Sequence, residues 1–306
     1  MTEIYVATHK KVNYTLPTCY RMVQVNCKKT GEHWQNYLHD DYGDNISEKN
    51  GSYCELTALF QAWKNSDADI KGLCHYRRVF SEYEEPLLTR VKFTNEQGME
   101  TLCIKEPFIQ KTLEKYDVIL QMPCEPYPND AKTDLLIWCY QKDIEVLERV
   151  VHDEYPEYWD CYQEIMQSKF LSYCNMMIAK REVFDEYCCW LFEILSKVEA
   201  QCDITSYDTQ HKRIYGYLAE VLLNVYVKRH KLKPKYLSVL YIEVQDEDKS
   251  LKNIIHTLNF KVFDTLEKWK MQQLAEFIMR FYKREMYDKY RACRRYFEKQ
   301  VDHGKG

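Results

Sequence analysis

Two consecutive arginines, Arg77 and Arg78, follow His75 and Tyr76 at the end of a short apolar run over 70–74. Paired guanidinium groups suit the charge and geometry of a phosphate or diphosphate, which they meet with charge-assisted hydrogen bonds. A second cationic cluster, Ala7-Thr8-His9-Lys10, closes the first apolar run of the chain. A third polar cluster, Asp40 to Ser47, contains Asp41, Asp44 and Asn45, which could grip a ribose, a sugar or a metal, or simply cap the next helix. Asn50 and Glu55 lie just beyond it. Asp67-Ala68-Asp69 has the D-x-D spacing of a metal-binding pair, but it stands before the run at 70–74 rather than after it. It therefore reads as a solvated turn at the end away from any ligand. For a carboxylate base the candidates are Asp41, Asp208 and Glu220, the last on an expected helix shortly after Arg213.

These residues need a scaffold, and hydrophobic periodicity supplies one. The runs at 4–8, 20–26, 70–74, 117–121, 170–179 and 236–244 read as strands. Leu56, Leu59, Phe60 and Trp63 follow the i, i+3, i+4, i+7 spacing of an amphipathic helix over 53–63. Helices are also expected over 133–155, stopping near Pro156, and over 184–198 and 214–228. Strands alternating with helices predict an α/β fold with a mostly parallel central sheet flanked by helices. In such a sheet ligands bind beyond the carboxyl ends of the strands, which is where Thr8-His9 and His75-Tyr76-Arg77-Arg78 stand. The turn at 122–128 and Cys174-Asn175 belong to the same set of loops.

Composition narrows the function further. The 306 residues are 45% hydrophobic and 29% charged, with a net charge of −4, so the overall charge does not recommend nucleic acid as a partner. Only 8 glycines occur, and neither G-x-G-x-x-G nor G-x-x-x-x-G-K-[ST] is present, which removes the usual glycine-rich phosphate cradles. The 13 cysteines are odd in number, lack C-x-x-C spacing and sit in apolar segments, as expected of a reduced cytoplasmic protein without a structural metal. Met1 to Val6 enter a strand-like run at once, so a secretory signal is not expected. Beyond about Asp248 the chain turns helical in pattern, with Leu274, Phe277, Ile278 and Phe281 at helical spacing. Eight Lys/Arg oppose three Asp/Glu between Arg280 and Lys299, interleaved with tyrosines. Such a segment either packs on the sheet or lies on an anionic membrane surface.

Seven blocks carry a family resemblance. They are Val6-Ala7-Thr8-His9-Lys10, Gly43-Asp44-Asn45-Ile46-Ser47, Cys54-Glu55-Leu56-Thr57-Ala58-Leu59, Gly72-Leu73-Cys74-His75-Tyr76-Arg77-Arg78, Asn175-Met176-Met177-Ile178, Phe184-Asp185-Glu186-Tyr187-Cys188 and Tyr215-Gly216-Tyr217-Leu218-Ala219-Glu220. Over 3–244 the chain resembles the bacterial capsular-polysaccharide-synthesis glycosyltransferases, a family long catalogued as a domain of unknown function. Some of its members resemble galactofuranosyltransferases. The resemblance implies a GT-A-like nucleotide-sugar domain over 1–247 followed by a basic, aromatic helical extension over 248–306.

It further implies that Ala7, Thr8, His9, Asp44, Asn45, Asn50 and Glu55 contact the donor nucleotide. His75, Tyr76, Arg77, Arg78 and Arg213 would meet the diphosphate where relatives carry metal-binding carboxylates, and Asn175 would lie on the acceptor side. The expected activity is transfer of a sugar from a nucleoside-diphosphate donor, UDP-linked, to a capsular or O-antigen saccharide or its lipid-linked form. The alternative is a catalytically silent nucleotide- or carbohydrate-binding module. No cofactor is expected, with magnesium or manganese left open. The expected location is the cytoplasm, peripheral at the inner face of the membrane.

Overall fold

The computed structural model describes residues 1–81, 91–94, 96–124 and 130–242. The expected extension over 248–306, its boundary at 247 and most of the turn at 122–128 lie outside the described residues. In chain order the first elements are β1 (Thr2–Thr8), β2 (Tyr20–Gln24), α1 (Cys27–Thr30), β3 (Leu38–His39), α2 (Asn50–Tyr53) and α3 (Leu56–Asn65). There follow β4 (Ile70–His75), β5 (Arg78–Phe80), β6 (Val91–Thr94), α4 (Glu96–Leu102), α5 (Glu106–Thr112) and β7 (Val118–Gln121). The last described elements are α6 (Ala131–Trp138), α7 (Gln141–Glu154), α8 (Pro156–Met166), β8 (Met177–Lys180), α9 (Arg181–Glu199), α10 (Ile214–Arg229), β9 (Pro234–Leu237) and β10 (Val239–Ile242).

The strands form one sheet with the helices on both faces. Its order runs β3-β2-β1-β4, and at β4 it forks. Along Ile70 to Leu73 strand β4 pairs antiparallel with β8, which leads on to β7 and β9. At His75 it pairs instead with Arg78 of β5, which leads to β10 and β6. Among the described residues five of the nine pairings are parallel, including β1 with β2 and with β4. The expected α/β class with a mostly parallel sheet is thus what the chain adopts.

Alternation along the strands explains the two-sided core. Tyr5, Leu73, Val118, Leu120, Met177 and Ala179 face a large cluster built with α3 and α7 to α10. Their sequence neighbours Ile4, Val6, Cys74, Ile119 and Ile178 face a second cluster with Met99 and Ile109 of α4 and α5. Successive strand side chains point to opposite faces, so strands covered on both sides must be apolar throughout. Gly72 lets β4 and β8 approach closely: a Cβ there would lie 2.7 Å from Ile178 Cγ1 and 2.9 Å from the Met177 carbonyl.

Four expected elements differ in extent. The helix over 53–63 is broken at Cys54, whose φ of 53° separates α2 from α3. The helix over 133–155 is two helices, divided at Cys139-Tyr140, and Pro156 opens α8 instead of ending α7. Proline is at home at a first helical position, because its missing N–H has no partner there anyway. Of the strand over 170–179 only Met177 to its end is regular. Cys174 and Asn175 take φ of 70° and 51° and turn the chain just before it. The strand expected over 236–244 is divided at Ser238 into β9 and β10, which pair with different partners. The twelve described cysteines are free. No helix among the described residues is long and apolar enough to cross a membrane.

Candidate functional site

The parallel register sets Ala7 beside His75, so β1 and β4 end together. Beyond those ends the chain turns twice. Thr8 Oγ1 donates to the Lys10 carbonyl at 2.5 Å and accepts from its N–H at 3.1 Å, and the Tyr76 N–H donates to the Ala7 carbonyl at 3.1 Å. The bend at Cys54 brings Glu55 in from a third side. Asn50 stabilises that bend by donating from Nδ2 to the Cys54 carbonyl (2.7 Å) and to Thr57 Oγ1 (3.0 Å). Buried Asp40 anchors the assembly from behind, accepting from the N–H groups of Asn26 and Cys27 and the hydroxyls of Ser47 and Thr57.

The space so enclosed is a pocket of about 370 Å³. Ten of the residues selected from the sequence line it: Ala7, Thr8, His9, Asn50, Glu55, His75, Tyr76, Arg77, Arg78 and Arg213. Val25, Gly51, Cys54 and Thr209 line it too and were missed. Val25 stands one residue beyond β2, parallel to β1, so the strand-end rule could have found it. Thr209 lies just before the basic run His211-Lys212-Arg213, and Cys54 gives no sign in the sequence that it bends the chain.

The electrostatics of this pocket favour an anion. Arg77 lies 5.1 Å from the Tyr76 ring and Arg213 lies 5.5 Å from the Tyr217 ring. Arg213 Nε donates to Cys54 Sγ at 3.2 Å, a thiol that burial pushes up to about 11. Among the described residues no carboxylate ion-pairs with Arg77, Arg78 or Arg213. Partial desolvation, then the charges of Lys10, Arg77 and Arg213, hold His9 below the usual histidine range. Burial holds His75 below it as well, and its Nε2–H donates to the Cys174 carbonyl at 2.6 Å. Both shifts disfavour a charged imidazole, so the positive charge of the pocket rests on the arginine cluster.

A carboxylate pair borders the pocket on its inner side. Asn175 is 2% exposed; its Nδ2 donates to Glu55 Oε1 at 2.7 Å and to the Gly216 carbonyl at 3.0 Å. Asn175 thus stands behind Glu55 and does not line the pocket. The adjoining Cys174 N–H donates to Glu220 Oε1 at 2.9 Å. Burial, reinforced by the nearby charge of Glu55 and opposed by the Cys174 N–H and Arg78, pushes the Glu220 carboxyl up to about 8. Glu220 lines a second, very small crevice with Asp134, Trp138, Tyr173 and Tyr217.

The remaining selected residues stand apart from the pocket. Asp41 pairs with His33 Nε2 at 2.9 Å. Asn45 Nδ2 donates to the carbonyls of Asp41 and Gly43, and the Asp44 carbonyl accepts from Asn65 Nδ2. This cluster is a tied-off turn. Asp208 accepts from the N–H groups of Gln210 and His211 and from His211 Nδ1, bonds that hold its carboxyl below the usual range. It fixes the turn that leads to Arg213. Asp69 lies at the amino end of β4, its carbonyl accepting from the Arg181 N–H at 2.8 Å, so the D-x-D pair is far from the pocket.

Comparison with known proteins places this geometry. The sequence profile of a family described as a domain of unknown function, DUF4422, matches residues 3–231. Among solved structures the chain is similar to the apo structure of the bifunctional glycosyltransferase WbbM, with a TM-score of 0.69 and 27% identity. The match covers 79% of this chain and 45% of that one, so this chain corresponds to less than half of the bifunctional protein. No curated protein matches.

Proposed function

The chain belongs to the DUF4422 family, and from the pocket its fold builds we propose that it is a glycosyltransferase using a nucleoside-diphosphate sugar. The observation that carries this reading is the cluster of three arginines, without ion-pair partners among the described residues, around one pocket at the ends of β1 and β4. The likeness to a bifunctional glycosyltransferase supports it. A diphosphate fits that cluster. As the glycosidic bond breaks, charge gathers on the departing diphosphate, and preorganised guanidinium groups stabilise it. Ala7, Thr8, His9, Asn50 and Glu55 then border the nucleoside.

The reaction needs an acceptor hydroxyl. Its oxygen bonds to the anomeric carbon while that carbon's bond to the diphosphate oxygen breaks, and the electron pair leaves with the diphosphate. The hydroxyl proton passes to a carboxylate. Of the three candidate bases, Asp41 and Asp208 are engaged in turns outside the pocket, and Glu220 adjoins it beside Glu55. Glu220 is our assignment. The donor is UDP-linked, with galactofuranose as the sugar to test first, and the acceptor is a capsular or O-antigen saccharide. The arginines meet the diphosphate charge without a divalent metal.

Purified full-length chain, incubated with a panel of UDP- and GDP-sugars and saccharide acceptors, tests the reading. Release of UDP from one sugar donor, with a glycosylated product, is expected. Nucleotide binding without turnover would identify a binding module instead, and neither binding nor turnover would overturn the reading.

A further inference from the structure

A row of aromatic rings runs from the crevice beside Glu220 to the rim of the arginine pocket. Trp138, the last residue of α6, stacks on Tyr217 of α10 with ring centres 5.6 Å apart and planes 28° apart. Tyr217 in turn lies under the Arg213 guanidinium, and its hydroxyl accepts from Gln210 Nε2 at 2.5 Å. Tyr140 stacks on His211 at 4.3 Å. Tyr217 covers one face of the Trp138 indole, yet Trp138 remains 37% exposed. The crevice it lines, about 10 Å³ in all, has room for about one water and is bordered by Asp134 and Glu220. The Tyr173 hydroxyl donates to Asp134 Oδ2 at 3.2 Å.

A partly exposed indole bordered by carboxylates matches the chemistry of a sugar ring, whose C–H face packs on an aromatic plane while its hydroxyls donate to acceptors at the edge. A purely apolar partner would strip water from those carboxyl groups and offer no hydrogen bond in its place beyond those they already accept from Tyr173 and Cys174. An acidic sugar would bring a carboxylate beside Asp134 and beside the Glu220 carboxyl, which it would keep from ionising to act as base. Resting on the glycosyltransferase reading, we infer that Trp138 and Tyr217, with Asp134 and Glu220 at their edge, form the acceptor subsite for a neutral saccharide. The crevice holds no more than about one water, so the ring lies on Trp138 rather than inside it. It adjoins the donor pocket on two sides, through Arg213 under Tyr217 and through Glu55 beside Glu220. A hydroxyl of the bound ring then faces Glu220.

Saturation-transfer NMR on the full-length chain with UDP present tests this, using the methyl glycosides of galactose, glucose, mannose and glucuronic acid as probes. At least one neutral glycoside is expected to receive saturation, and the glucuronide is not. Trp138→Ala should weaken that glycoside about tenfold and erase its signals, whereas UDP signals persist. Trp138→Leu repeats the test without emptying the site, and it too should lose the glycoside. Ile137→Ala, at an exposed apolar neighbour, should leave both sets of signals intact. Undiminished glycoside signals in both Trp138 variants, preference for the glucuronide, or UDP signals with no glycoside signals in the unsubstituted chain would each overturn the subsite. Absence of UDP signals from the unsubstituted chain would overturn the donor pocket itself.

Discussion

At the scale of single residues the pocket is defined by guanidinium charges that meet no carboxylate among the described residues. Arg77, Arg78 and Arg213 spend part of their surface on tyrosine rings and none on a carboxylate among the described residues. Arg77→Ala should therefore weaken UDP binding by about 2 to 4 kcal/mol by calorimetry, because a bound diphosphate loses a charge-assisted partner. Asp67→Ala should leave it unchanged, and the reverse result would place the diphosphate at the wrong end of β4. Glu220 carries a second prediction. As a base it must be ionised, so kcat/KM should rise with pH and level off above about 8, and Glu220→Gln should cost about 10²- to 10⁴-fold. The same shift has a stability sign. A carboxyl raised from 4.5 to about 8 holds its proton longer in the folded chain than in the unfolded one. Its burial therefore costs progressively more stability as pH climbs through that window. Glu220→Gln should stabilise the fold at pH 9 by at most a few kcal/mol, since Glu220 is only half-buried, and leave it unchanged at pH 4. Equal melting shifts at both pH values would contradict the raised carboxyl.

At the scale of elements the sequence and the structure agree where a pattern is local. The strand-end motifs after β1 and β4 were legible because Thr8-His9 and His75 to Arg78 follow unmistakable apolar runs, and parallel pairing then brings them together. The selected turn residues Asp41, Asp44 and Asn45 have the right chemistry, but their carbonyls and side chains close a loop, and residue type alone cannot tell a tied-off Asp from a presented one. The bends at Cys54 and Cys174 were not legible, since cysteine carries no propensity for positive φ, and Asn175, which tolerates it, stands in an apolar run that reads as strand. Those bends put Glu55, Asn175 and Glu220 side by side. The aromatic row was also hidden, because Trp138 and Tyr217 are 79 residues apart in a sequence where 26 tyrosines mask any one of them. The fork at β4 depends on Gly72. Gly72→Ala would push a methyl group into Ile178 and the Met177 carbonyl, and should cost about 1 to 3 kcal/mol in denaturant unfolding. Unchanged stability would mean that β8 does not sit against β4 as described.

At the scale of the whole molecule the fold joins an arginine-lined pocket to an aromatic ledge across the carboxylates of Glu55 and Glu220. The basic, aromatic sequence between Arg280 and Lys299 adds a prediction from composition alone. Each Lys or Arg near an anionic bilayer contributes about 1 kcal/mol, so the full-length chain should sediment with phosphatidylserine vesicles at low salt and be released as salt rises. Indifference to such vesicles at low salt would remove membrane docking. The central claim is that guanidinium groups, rather than a metal, receive the diphosphate of a sugar nucleotide. Titrating UDP into the full-length chain by calorimetry, with and without EDTA, tests it most directly. Binding that survives chelation and falls with Arg77→Ala is the predicted result; binding abolished by EDTA, or indifferent to Arg77, would contradict it.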